Sequence, residues 1–154
     1  MKNVKIMFPI IVAFMFVFVS GSASAQTDLE NHTQFSNLTK VMILNTAAIY
    51  SGEAKTRNDQ IKHYNEFRKS LAEAKKTHNL LKKVIPQKAM SDAIMHHDNI
   101  DKYFASATTH ANSMVEELKN DKPDDAKMKE LAKKIHDNIE LAEKEHQALI
   151  KVTQ

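Results

Sequence analysis

From residue 27 onward, apolar and polar positions alternate with the three-and-four spacing of amphipathic helices, and the pattern is interrupted three times. The interruptions read "SGEAKTR", "IPQKAMS" and "NDKPDD", and they hold Gly52, Pro86 and Pro123, the only glycine and prolines beyond residue 25. The stretches between them are rich in Ala, Leu, Lys and Glu, which lose little freedom on entering a helix. Three breakers therefore predict four helices, over about 27–50, 56–85, 91–119 and 123–152.

Local signals set the expected ends. In "TDLE" Thr27 and Glu30 satisfy each other's backbone donors as a capping box, and "TRND" at Thr56 offers a second. Gly52 stands just past the first helix, where a left-handed residue closes the last turn. Pro86 stops the second helix, and Pro123 suits the first turn of the fourth.

Heptad spacing picks one inward stripe per helix. The first reads Leu29, His32, Phe35, Leu38, Met42, Asn45 and Ile49; the second Tyr64, Phe67, Leu71, Ala74, His78, Leu81 and Ile85. The third reads Ala93, His97, Ile100, Phe104, Ala107, Ala111, Met114 and Leu118; the fourth Met128, Ala132, Ile135, Ile139, Ala142, His146 and Leu149. Connections this short place successive helices antiparallel, so the expected fold is all-α, an up-down-up-down four-helix bundle.

Residues 1–25 break the pattern. Lys2 and Lys5 precede the apolar run "IMFPIIVAFMFVFV", and "SGSASAQ" follows with Ala23 and Ala25 placed for cleavage before Gln26. This is the make-up of a secretory signal peptide, and the run is too short and too weakly flanked for a membrane span. The expected localisation is periplasmic or secreted, with no membrane attachment after cleavage. Removing 25 of 154 residues leaves 129, the size of one domain, in which 20 basic residues (22 less Lys2 and Lys5) face 19 acidic ones. So even a balance argues against nucleic acid as a partner. The absence of cysteine excludes disulfides, c-type haem attachment and thiolate metal sites.

All eight histidines lie beyond residue 25, and each stripe carries one. In an antiparallel bundle the starts of the first and third helices lie beside the ends of the second and fourth. His32, His78, His97 and His146 then all stand roughly 7–10 Å in from the same end, at 1.5 Å rise per residue. Imidazole suits iron, copper, nickel and zinc, and bundle cores build such sites from facing helices. Glu143, three residues before His146, is a candidate fifth ligand or an acceptor for an imidazole N–H. His96 competes with His97 for the inward position, because periodicity does not fix the rotation of the third helix.

The segment "HHDNID" at 96–101 is nearly repeated by "HDNIE" at 136–140. His136 lies about 24 Å up the bundle from the end that holds His97, so the copies do not share a site. Each is a heptad fragment with an inward isoleucine, Ile100 or Ile139, and with a histidine–carboxylate pair four apart, His97 with Asp101 or His136 with Glu140. His63, His110 and His136 are expected at the boundary of the bundle.

No Gly-rich phosphate loop, H-E-x-x-H or G-x-S-x-G motif is present, so nothing argues for an enzyme. Only one Glu-x-x-His spacing occurs where a ferritin-like carboxylate site needs two.

With "TDLENHTQFSNLTKV" at 27–41 and "HQ" at 146–147, the chain resembles the small soluble periplasmic b-type cytochromes of the four-helix-bundle family. The resemblance implies haem at the open end of the bundle, held by a methionine of the first helix and a histidine of the fourth, and electron transfer to a redox partner protein. His146 matches the histidine ligand, and His32 stands where the methionine is expected. Bis-histidine ligation would lower the potential relative to a Met/His pair. The helices here are longer than the family's, and His78 and His97 have no counterpart in its pattern.

Three functions are therefore expected in order: b-type haem on His32 and His146 for electron transfer; a bare zinc, copper or iron ion on His32, His78, His97 or His96, and His146; and a cofactor-free helical scaffold or envelope-stress adaptor.

Overall fold

Four helices follow one another in the computed structural model, which describes residues 20–153, with side chains from Asp28 onward. They are α1 (Ser20–Tyr50), α2 (Arg57–Leu81), α3 (Met90–Lys119) and α4 (Asp125–Thr153), with 3-10 turns at Lys82–Val84 and Gln87–Ala89 between α2 and α3. They form an all-α up-down-up-down bundle: α1 packs on α2 and α4, α3 packs on α4, and the α2–α3 side is the most open. No strand occurs among the described residues. Most of the expected signal peptide, residues 1–19, lies outside the described residues. No helix among the described residues is long and apolar enough to cross a membrane.

The ends follow the local chemistry with two corrections. At α2 the expected box forms: the Thr56 hydroxyl accepts from Asp59 N–H at 3.1 Å, and Thr56 N–H donates to Asp59 Oδ2 at 3.1 Å. Gly52 closes α1 at φ +83°, a conformation costly for any side chain, and lets Ala54 N–H reach Ala48 O at 2.8 Å. "TDLE", however, does not start a helix, because α1 is already running from Ser20 and Thr27 lies inside it. Nothing in "SGSASAQ" after Gly21 obstructs helical backbone. The last helix begins not at Pro123 but after Asp124, whose carboxylate accepts Lys127 N–H at 3.1 Å. Here Glu117 ties the α3–α4 turn together by accepting Asp124 N–H at 2.8 Å and Asn120 Nδ2 at 3.1 Å, with Lys127 Nζ at 2.7 Å. The Asp124 N–H first, then Lys127 and Asn120, hold its carboxyl down at about 2.

The expected stripes of α3 and α4 are buried at every position, and that of α2 at every position but Ile85, which is half-buried. Phe35, Phe67 and Phe104 are fully buried in the core, each contributing on the order of 1.5–3 kcal/mol by area. The α1 stripe is rotated from its expected position. His32, Phe35, Met42 and Ile49 face inward as predicted, but Thr39 and Thr46 take the places assigned to Leu38 and Asn45, and Leu29 is exposed. Hydroxyls occupy these buried positions because each is satisfied: Thr46 Oγ1 donates to Met42 O at 2.9 Å, and Thr39 Oγ1 to Glu143 Oε2 at 2.6 Å. The outer face of α1 is left with Val41 and Leu44 exposed.

Candidate metal centre

At the end of the bundle where α3 begins and α4 finishes, the stripes bring four imidazoles to one level. His32, His78, His97 and His146 are all buried. They meet as two pairs. His32 Nδ1 lies 2.9 Å from His146 Nε2, one ring donating and the other accepting, and the His78 and His97 ring centroids lie 4.8 Å apart. Phe35 stands between the pairs, 4.3 Å from His146 and 5.9 Å from His78, centroid to centroid. Phe104 packs on Phe35 at 5.7 Å and edge-on to His78 at 6.3 Å.

Carboxylates from three helices surround the rings. Glu143 accepts from Ser36 Oγ at 2.8 Å, Thr39 Oγ1 at 2.6 Å and Gln147 Nε2 at 2.6 Å, and stands 3.7 Å from His146 Nδ1. Burial would raise the Glu143 carboxyl, but donors on His146, Thr39, Gln147 and Ser36 outweigh it and hold the group down to about 2. It remains an anion and keeps His146 oriented, with Ser36 Oγ 3.3 Å from the same Nδ1. On α1, Asp28 Oδ1 lies 3.7 Å from His32 Nε2. On α3, Asp101 clasps the Lys82 ammonium and stands 3.3 Å from His78 Nε2, without the alignment of a hydrogen bond.

The core discourages protonation of three of these rings. Burial pushes His78 down to about 4, with Asp101 only partly offsetting it. Burial and the neighbouring His78 and Lys82 push His97 down to about 4, and burial followed by His146 lowers His32. Neutral imidazoles keep a lone pair, yet His78 Nδ1, His78 Nε2 and His97 Nδ1 are buried without hydrogen-bond partners, as is Asp28 Oδ1. Beside them lies a cavity of about 10 Å³, lined by Asp28, His32, Leu81, Val84, Ile85, His97, Leu149 and Thr153.

The structure brings His32, His78, His97 and His146 together and leaves His96 outside. The His96 Nδ1–H donates to Glu145 Oε2 at 2.6 Å, pinning α3 to α4. This settles the rotation of α3: His97 faces the core and His96 faces its neighbour. Glu143 has its oxygens taken by three donors and is an orienting acceptor, not a free ligand. Asp101 does not pair along its helix with His97 as expected but reaches across to α2, whereas His136 does pair with Glu140, at 3.3 Å. His136 is also deeper than expected, buried against the Tyr50 ring at 4.9 Å, while His63 and His110 are half-buried. Sequence reasoning missed Asp28, Ser36 and Thr39. Only the four-residue spacing of Asp28 to His32 could have marked one of them.

No family model, curated protein or solved structure matches the chain.

Two nitrogens bound to opposite faces of one iron stand about 4 Å apart, twice a metal–nitrogen bond of about 2.0 Å. His32 and His146 are at 2.9 Å, and the adjoining cavity is one water in size. As packed, the residues do not fit a haem. Among the described residues, no three His or carboxylate side chains converge as a finished ligand set for a bare ion either. What the site does offer is a group of buried imidazoles beside carboxylates, some of whose unpaired atoms a small cation would satisfy.

Proposed function

We propose that this protein binds one divalent transition-metal ion on the buried imidazoles at the end of its bundle, and serves as a storage, buffering or sensing protein for that metal. The observation that carries the reading is the pair of unpartnered buried atoms beside one small cavity, His97 Nδ1 and Asp28 Oδ1, in a core that disfavours protonating His97. A buried polar atom left bare costs about 1–3 kcal/mol, which a bound cation would recover. The signal-like first 25 residues support an exported protein that meets its metal in the periplasm or outside the cell.

In this reading the imidazoles supply neutral nitrogen donors. Glu143, with Ser36, keeps His146 in one orientation, and His146 in turn fixes His32. The Lys82–Asp101 ion pair covers His78 on the open α2–α3 side. The ion would add stability by linking α1, α3 and their neighbours. Haem, and the redox partner it would bring, has weaker support because the rings would have to part before a porphyrin could enter.

The test is the metal content per chain of protein exported to a periplasm and purified without a chelator or a His tag. Near-stoichiometric zinc, iron or copper without a Soret band is the expected result. A Soret band would restore the haem reading, and metal-free protein that also refuses added zinc, copper and haem would leave a cofactor-free scaffold.

A further inference from the structure

Resting on that reading, we infer that the ion sits in the small cavity between α1 and α3, held by Asp28 Oδ1 and by imidazole nitrogens of His32 and His97. Two nitrogens and one hard oxygen suit a borderline divalent ion, of the zinc, ferrous or cobaltous kind, and disfavour a cuprous ion.

Ser36 Oγ stands 3.3 Å and the Glu143 carboxylate 3.7 Å from His146 Nδ1, so the proton of this ring belongs on Nδ1. With Nε2 of that ring as the acceptor, the 2.9 Å contact is made by a proton on His32 Nδ1. In that arrangement the second nitrogen of a neutral His32, Nε2, carries a lone pair and no proton. It faces Asp28 Oδ1 at 3.7 Å, where two electron-rich atoms repel unless a cation lies between them.

The cavity supplies the place. Asp28, His32 and His97 all line it, and it holds about 10 Å³, close to the room one water needs. Two of its potential donors, Asp28 Oδ1 and His97 Nδ1, are buried without hydrogen-bond partners. The 3.7 Å between Asp28 Oδ1 and His32 Nε2 is too long for a hydrogen bond but falls in the span of two ligands on one ion, each about 2.0–2.2 Å from the metal. His97 would complete the set by turning its ring toward the ion. His78 stays outside it, against Asp101 and behind Phe35.

The experiment is a zinc(II) and cobalt(II) titration of the protein made from its full coding sequence, by calorimetry and by cobalt absorption, beside Asp28→Asn, His97→Gln and His78→Gln. Helical circular dichroism and melting of each metal-free variant establish that it folds. Asp28→Asn keeps the shape of its side chain at a half-exposed helical position. The wild type should take one ion. Asp28→Asn and His97→Gln should each weaken binding at least about tenfold and alter the cobalt spectrum, and His78→Gln should leave affinity within about threefold. Wild-type binding that Asp28→Asn does not change would overturn the proposed ligand set while leaving metal binding intact. Equal losses in His78→Gln and His97→Gln would instead move the ion to that pair. A wild type that binds neither ion would remove the metal-binding reading and this inference together.

Discussion

His32 and His146, 114 residues apart in the chain, meet nitrogen to nitrogen at 2.9 Å and so lock the N-terminal half of α1 to the end of α4. The contact is fully buried, and each ring has a carboxylate on its far side, Asp28 for His32 and Glu143 for His146. Replacing His146 with Ala would open a cavity beside Phe35 and leave the His32 donor and part of the Glu143 network unpaired. The metal-free protein should lose about 2–5 kcal/mol, read from urea unfolding, and His146→Gln should lose less because its amide can replace one partner.

Acid should unfold the protein in two stages. His78 and His97 are held at about 4 in the folded chain against 6.5 when exposed. Above 6.5 both are neutral whether folded or not, so they contribute no pH dependence. Below it the unfolded chain takes up protons that the folded chain refuses, and stability falls by a few kcal/mol in total as pH drops from 6.5 toward 4. Glu143 works lower down: its carboxyl is held at about 2 instead of 4.5, so its stabilisation is present above pH 4.5 and is lost as pH falls toward 2. Urea midpoints of metal-free protein from pH 8 to 3 should show this, and His97→Gln should flatten the upper stage while leaving the lower one.

Metal should stabilise the fold throughout this upper window and lose its effect at the window's acid end. A cation bound at neutral imidazoles competes with protons, and the folded His97 ring stays unprotonated until pH falls to about 4, so added zinc should raise the melting temperature at pH 7.5 and at pH 5.5 and lose its effect only as pH falls toward 4. At a free concentration one hundred times the dissociation constant, the gain is about 2.7 kcal/mol. A chelator should reverse it. Scanning calorimetry with and without zinc at pH 7.5 and pH 4 measures both effects, and an equal shift at both would rule out histidine ligation.

The sequence made the bundle readable where burial is apolar and unreadable where burial is polar. Breakers at Gly52, Pro86 and Pro123 and unbroken stripes in α2, α3 and α4 located the helices within a few residues at every end but the start of α1, and the stripes placed one histidine per helix at a common depth. Periodicity gives depth and face but not which side chain reaches which, so the division into two pairs around Phe35 was hidden. So was the choice of His97 over His96, which rests on the His96–Glu145 contact from another helix. Asp28, Ser36 and Thr39 escaped notice because a polar residue on a helix reads as solvent-facing unless its partner, here a histidine or Glu143 from across the bundle, is known.

The rotation of α1 makes that difference measurable. By hydrophobicity alone Leu38 and Leu44 outrank Thr39 as structural positions, yet Thr39 is 0% exposed and Leu44 is 69% exposed. Thr39→Val keeps the shape of the side chain but removes the hydroxyl that donates to Glu143 Oε2 at 2.6 Å. The carboxylate would then face a methyl group in a dry site, at a cost of about 1–3 kcal/mol. Leu44→Ser removes a larger apolar group from the open face of α1 and should change stability by no more than about 0.5 kcal/mol. Equilibrium urea unfolding of the two variants decides which face of α1 is inside. If Leu44→Ser proved the costlier change, a partner would be packed on that outer face, or the helix would be turned from the orientation in which Thr39 meets Glu143.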